Sequence, residues 1–297
     1  MTQGSPDWSL YRSFLSVLRT GSLSAAARDD GLTQPTVGRH IDALETALGV
    51  ALFTRSQHGL APTEAALELQ PYAESLEATA AALVRAAVGR AGAQGTVRIT
   101  ASEVVGAEVL PPILTQLRAD HPEMTLELVL SNRTEDLLQR EADIAVRMVR
   151  PTQQALTARH VGDIEIGLHA RREYLERQGV PVSVADLRRH ALIGFDHENA
   201  FIRSVRAQGF AVERSMFALR SDSDLAQLAA IRAGFGIGAC QVGLARRGPE
   251  LVRVMAQSFL FKLEVWIVMH SDLRSSARCR VAADALAKGL SAYCAIR

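Results

Sequence analysis

The sequence predicts an α/β protein of several domains: a small helical head with a wing, a long linker helix, and a two-lobed α/β unit. Three observations carry this expectation. Short helical patterns with capping residues fill residues 1–60, an alanine-rich helical pattern runs from Thr63 to about Arg90, and strands and helices alternate from Val97 onward. The 297 residues, 48% hydrophobic and 22% charged, suffice for two or three cores.

Residues 8–19 set Tyr11, Phe14, Leu15 and Leu18 on one helical face. Gly21-Ser22 breaks that helix, and Ser22 caps a two-turn helix over 23–30 whose face is Ala25, Ala26 and Ala27. Gly31 suits its left-handed end. Thr33 caps a third helix, with Pro35 tolerated in its first turn. There Val37, Ile41, Leu44 and Leu48 form a buried stripe and leave Thr36, Arg39, His40 and Ala43 outward, until Gly49 ends the helix. Residues 50–53 predict a strand and 55–59 a polar turn suited to a wing.

Thr63 caps the long helix, and Pro71 removes one of its hydrogen bonds. Leu76, Leu83 and Val84 form a stripe that one helix cannot bury, so a helix from a second chain is expected to cover it. Residues 91–95 read as a linker. Strands are expected at 97–100, 125–130, 143–146, 163–169, 191–195, 216–219 and 260–269. Helices are expected at 104–119, interrupted by Pro111 and Pro112, and at 135–139, 171–177, 222–233 and 281–292. Such alternation predicts two lobes joined by crossing strands, with a largely parallel sheet.

The formal charge of +1, from 33 basic and 32 acidic side chains, excludes a nucleic-acid coat but not a local DNA-binding face. In residues 1–60, Arg12, Arg19, Arg28, Arg39 and Arg55 balance Asp7, Asp29, Asp30, Asp42 and Glu45, so counterion release alone gives modest affinity. Cys240, Cys279 and Cys294 are too scattered for a disulfide framework or a zinc site and are expected to be reduced. Cys240 stands in an apolar run with no adjacent charge, which argues against reactivity. The glycine-rich stretch 234–238 follows a helix and precedes a strand, the reverse of a dinucleotide-binding order. There is no nucleophile elbow, phosphate-cradling loop or His-Glu-x-x-His pattern. No cofactor, metal or catalysis is expected. Residues 1–10 lack the features of a secretory signal, and no apolar run approaches ~18 residues, so a cytoplasmic place without membrane contact is expected.

Function points to residues 22–41, where a short helix, a tight glycine turn and a second helix form a helix-turn-helix. Small residues are needed where the helices cross, and Ala26 and Ala27 supply them. Hydrogen-bonding side chains are needed at the second helix's N-terminus, and Gln34, Thr36 and Arg39 supply those. The run 32–45, Leu-Thr-Gln-Pro-Thr-Val-Gly-Arg-His-Ile-Asp-Ala-Leu-Glu, is similar to the recognition helix of LysR-type transcriptional regulators. Residues 48–55, Leu-Gly-Val-Ala-Leu-Phe-Thr-Arg, continue the resemblance into the wing.

The resemblance implies a winged helix-turn-helix domain at 7–64, a linker or dimerisation helix at 65–90, and a periplasmic-binding-protein-like effector domain at 91–297. Lobe I would take 91–162 and 269–297, and lobe II 163–268. It implies double-stranded DNA as partner, a small-molecule effector, and a homodimer or homotetramer. Gln34 and Thr36 would touch bases, Arg39 a guanine or phosphate, and Arg55 the backbone or minor groove. Ser22, Thr33, Pro35 and His40 complete the DNA-facing set, and His58 is a further phosphate candidate. Two departures stand out: Gly38 where many members have serine, and Ala66 where many have glycine.

Two-lobed α/β sensors bind ligands at strand carboxyl ends. Those ends here offer Ser102, Glu103, Asn132 and Arg147 in lobe I, and Phe195, Asp196, Ser221 and Asp222 in lobe II. Arg147 and a helix N-terminus suit a carboxylate, whereas Glu103 and Asp222 oppose one, which leaves an amine-bearing ligand open. The rival reading is a small-molecule-binding protein or enzyme of the two-lobed type; the missing catalytic constellation speaks against the enzyme.

Overall fold

Capping side chains set the first three helices. The computed structural model describes residues 6–56, 59–88, 93–132, 142–151 and 156–296. Helix α1 (Trp8–Thr20) starts at Asp7, whose carboxylate accepts the Ser9 N–H; α2 (Leu23–Asp30) starts at Ser22, whose Oγ accepts from Ala25. Helix α3 (Gln34–Leu48) starts at Thr33, whose Oγ1 accepts from Thr36. Phe14, Leu15 and Val17 of α1 pack on Ala26 and Ala27 of α2 and on Val37, Ile41 and Leu44 of α3, while Leu48 is only partly buried.

The expected strand at 50–53 is corrected. Glu45 Oε1 accepts the backbone N–H groups of Leu52 and Phe53 at 2.6 and 3.2 Å, so α3 itself fixes this stretch as a link with Leu52 buried. The wing is instead a hairpin of β1 (Phe53–Ser56) and β2 (Gly59–Pro62), with Phe53 opposite Pro62. His58 lies outside the described residues. Helix α4 (Glu64–Val88) begins at Thr63, whose Oγ1 accepts the Ala66 N–H, and contains Pro71. Ala66 and Ala73 pack into the head, whereas Leu67, Tyr72, Leu76, Leu83 and Val84 are exposed.

The chain divides into two units, the first built on Met1–Val84 and the second on Arg85–Leu137 and Ala142–Arg297. In the second, β3 (Gly95–Ala101) leads into a helical run whose Val105–Val109 segment is π-helical before α5 (Leu110–Asp120). Pro111 and Pro112 thus fall in the first turn of α5. Then come β4 (Met124–Leu130), β5 (Ile144–Arg147), and the 16-residue β6 (Leu156–Arg171). The helix expected at 135–139 lies outside the described residues. Next are α6 (Arg172–Gln178), β7 (Leu192–Gly194), α7 (Ala200–Ala207), β8 (Phe217–Arg220) and α8 (Asp224–Arg232). The chain closes with β9 (Gly238–Gln241), α9 (Val242–Ala245), β10 (Leu251–Val254), β11 (Phe261–His270) and α10 (Ala277–Cys294).

The sheet is mixed, which corrects the largely parallel expectation. Its order is β10-β6-β11-β5-β3-β4, with β9 also on β6 and a separate β7–β8 pair. Among the described strand pairs, β3/β4, β3/β5 and β7/β8 run parallel; β6 meets β9, β10 and β11 antiparallel, and β11 meets β5 antiparallel. The reason is a long β6–β11 ribbon that passes through both lobes. Its register shifts between Val265 and Trp266, opposite Gly162, which has φ 145°. A Cβ on Gly162 would lie 2.7 Å from the Cys294 Cβ, so glycine is required there. Lobe I is β3, β4 and β5 with α5 and α10 around Val97, Ile99, Leu110, Leu286 and Leu290. Lobe II packs α8 on β9, with Tyr174, Leu187, Leu192 and Ile237 in a smaller core.

Candidate functional site

The first candidate surface is the N-terminal half of α3. Gln34, Pro35 and Arg39 are exposed, and the Arg39 Nε donates to the Pro35 carbonyl at 3.3 Å, which lays the guanidinium along the helix. Thr33 and Thr36 pair through their hydroxyls at 2.8 Å, and Ser22 is engaged as a cap. His40 Nδ1 lies 2.8 Å from the Ser13 hydroxyl, a contact with α1 that fixes the ring. Arg55 is exposed on the wing.

The charge balance of the head resolves into pairs. Arg12 meets Asp30 at 3.4 Å, and Arg19 forms an ion pair with Glu77 of α4 that holds its guanidinium above its ordinary value. Among the described residues, Arg28, Arg39 and Arg55 have no ion-pair partner. A head with no excess charge therefore still presents exposed cations that no described carboxylate neutralises.

The second candidate is a cavity of about 620 Å³ in the second unit. Of the sequence candidates, Ser102, Asn132, Arg147, Phe195 and Asp222 line it. Glu103, Asp196 and Ser221 do not. Ser221 serves the loop, its Oγ accepting the Ser223 N–H, and Asp196 accepts from Arg214. Arg147, 5% exposed, donates to the Thr100 hydroxyl at 3.0 Å and the Val146 carbonyl at 3.2 Å.

Glu103 instead joins the two lobes. Its Oε2 accepts from the Ser223 hydroxyl at 3.0 Å and from the Leu225 N–H at 3.5 Å, at the start of α8. Beside it, Asn132 accepts the Glu103 N–H at 3.1 Å and donates to Asp224 Oδ2 at 3.0 Å. The other end of α8 is held too. Arg232 donates bidentately to Glu108 at 2.7 and 2.9 Å, which pulls the Glu108 carboxyl below its ordinary range. Arg247 donates to the Glu108 carbonyl at 2.6 Å, the acceptor that Pro112 leaves without its helical N–H.

Sequence reasoning missed Asp224, His197, Gln227, Phe201, Phe261 and Cys240, all of which line the cavity. The signal available was that α8 follows a strand end, which places its first turn at the cleft. Burial, and then the nearby Glu103, push the Asp224 carboxyl up to about 6. At the rim, the hydrogen bond from His197 Nδ1 to Asp222 at 2.6 Å raises the imidazole and lowers the carboxyl. Asp196, His197 and Asp222 bring ligand atoms within 4.8 Å of one another. They are committed to each other and to Arg214, so the arrangement is an ion-paired rim. Burial holds His169 down at about 4 and pushes the Cys240 thiol up to about 12. No described helix is long and apolar enough to cross a membrane.

Both units match known families. Residues 8–67 match the family described as bacterial regulatory helix-turn-helix protein, lysR family, and residues 90–291 match LysR substrate binding domain. An HTH-type transcriptional regulator of Xanthomonas campestris pv. campestris is 31% identical over 254 residues, covering 82% of this chain and 71% of that one. The probable HTH-type transcriptional regulator LtrA of Klebsiella pneumoniae is 26% identical over 296 residues, covering 97% and 95%. Among solved structures, CrgA, a LysR-type transcriptional regulator from Neisseria meningitidis, is similar with a TM-score of 0.59 at 24% identity, covering 95% and 98%.

Proposed function

We infer, since this chain belongs to the LysR family of DNA-binding transcriptional regulators, that the N-terminal half of α3 reads a major groove and that a small molecule in the cleft controls the outcome. The observation that carries the reading is the exposed Gln34–Arg39 face, flanked by cations with no ion-pair partner among the described residues, on a helix packed by its opposite side. Gln34 and Thr36 meet base edges, Arg39 a guanine or phosphate, and Arg55 the backbone beside the wing. Ser22 and Thr33 offer capped helix starts to phosphate. His40, with Nδ1 turned to Ser13, keeps Nε2 for a phosphate.

We take 7–64 as the DNA-binding domain, 65–90 as the dimerisation helix and 91–297 as the effector domain. The exposed stripe of Leu76, Leu83 and Val84 on α4 supports pairing of two chains, and a dimer of such dimers gives a tetramer. The work is done on DNA, which places the protein in the bacterial cytoplasm. Ligand acts by favouring one arrangement of the lobes over another, and it shifts that balance only by its difference in affinity for the two. The clasps at both ends of α8 are the contacts such a shift must make or break.

The test is a binding titration on the DNA upstream of the protein's own gene against scrambled DNA, across a salt series, with Arg39→Ala in parallel. Binding that prefers the native DNA is expected, with roughly 10-fold or greater loss in the variant, given about 1–3 kcal/mol for a specific arginine contact. Equal binding to both DNAs by the parent and the variant, with no site recovered from genomic fragments, would remove the reading.

A further inference from the structure

The charges lining the cleft are not evenly matched. Glu198 forms an ion pair with Arg206, and Asp222 is held by His197. Arg147 is turned onto the Thr100 hydroxyl and the Val146 carbonyl, and Lys262 is exposed at the mouth. Asp224 differs from all of these. It lines the cavity, its hydrogen-bond partner is the neutral amide of Asn132, and no cation among the described residues pairs with it. The charge closest in effect is the like charge of Glu103. A carboxylate in this position gains most from a cation brought in from solution.

Part of the lining is aromatic. Phe195, Phe201 and Phe261 line the cavity, with ring centroids 6.2 Å apart for Phe195–Phe201 and 5.8 Å for Phe201–Phe261. Phe210 and Phe259 back Phe261 at 6.0 and 4.7 Å. These mutually tilted rings offer apolar area to a ligand ring, and their faces attract positive charge. An uncompensated carboxylate and aromatic faces each favour a cationic group over an anionic one beside them.

We propose that the ligand of this cleft carries a protonated amine on an aromatic body, the ammonium meeting Asp224 and the ring lying against Phe195, Phe201 and Phe261. This rests on the effector-domain reading above and narrows it. The Asn132 amide orients the carboxylate, and the ammonium replaces the missing countercharge. Because Glu103 also binds Ser223 and Leu225, a cation at Asp224 eases the repulsion across the lobe junction and favours the clasped arrangement. Protonating Asp224 removes the countercharge, so affinity falls with pH below about 6, tending toward about 10-fold per unit. The other charged groups lining the cavity are Arg147, His197, Glu198, Asp222 and Lys262.

The experiment is isothermal titration calorimetry of the full chain with 2-phenylethylamine, phenylacetate and n-hexylamine at pH 7.5 and 5.0, with Asp224→Asn in parallel. The proposal expects 2-phenylethylamine to bind at pH 7.5 at least 10-fold more tightly than either other probe. It expects a loss approaching about 10-fold at pH 5.0 and a loss of at least that size in the variant. Tighter phenylacetate binding, no binding of 2-phenylethylamine, or equal affinity in Asp224→Asn overturns it; equal n-hexylamine binding overturns the aromatic half. The contrast among probes is read on the unsubstituted protein, so it stands whether or not the variant folds. Binding to DNA is measured without small molecules, so failure here and failure of the regulator reading are separately visible.

Discussion

Burial acts on Asp224 and His169 in opposite senses. The Asp224 carboxyl is raised from 3.8 to about 6, so the folded chain holds its proton more tightly than the unfolded chain. Stability from this group is therefore lost as pH rises from about 4 to 6, and at pH 7 the charge opposes folding. Asp224→Asn should stabilise the protein at pH 7 by about 1–2 kcal/mol, allowing for partial solvent access, and the gain should vanish at pH 4; urea unfolding at the two pH values checks this. His169 is lowered from 6.5 to about 4 and stays neutral while the unfolded chain protonates, so its share of stability is lost as pH falls from 6.5 toward 4. Its Nδ1 donates to the Gly167 carbonyl at 3.0 Å, so it cannot take a proton from Cys240, although the Sγ is 3.3 Å away. With that thiol at about 12, roughly one part in 10,000 is thiolate at pH 8. Native protein at pH 8 should leave Cys240 unalkylated by iodoacetamide while urea-unfolded protein reacts, as read by peptide mass spectrometry. The quiet character of Cys240 was legible in its apolar neighbours. The pairing of Asn132 with Asp224 was not, because 92 residues separate them and nothing local records the contact.

At the scale of elements, caps were the most readable signals. Ser22, Thr33 and Thr63 each start a helix with a bond from the side chain, because such bonds are local. The strand expected at 50–53 was displaced to 53–56 because Glu45 holds the chain from seven residues away, a contact that hydropathy alone does not show. Strand β10 has only four residues, too few for a period to declare itself, and it pairs with distant β6. Helix α8 draws its position from both ends. Glu108→Gln should remove the charge-assisted bidentate bond to Arg232, a loss of about 1 kcal/mol for a half-exposed pair. Amide hydrogen exchange in α8 should then quicken about fivefold while α10 is unchanged; equal rates in α8 would show the pair to be idle.

For the whole molecule, the order of parts was legible: head, long helix, two α/β lobes. Strand direction was not. Alternating strands and helices suggest parallel pairing, but β6 and β11 are brought side by side from opposite ends of lobe II. Among the described residues the principal candidate surfaces, α3 and the cleft, each depend on one rigid layer beneath them, the head core and the ribbon respectively. That ribbon has a mechanical consequence. Hydrogen-bonded strands twist with a fixed hand along their length. The ribbon's register shift lies at Gly162, which packs closely against Cys294. Any relative motion of the two lobes must therefore be carried through this continuous pair of strands.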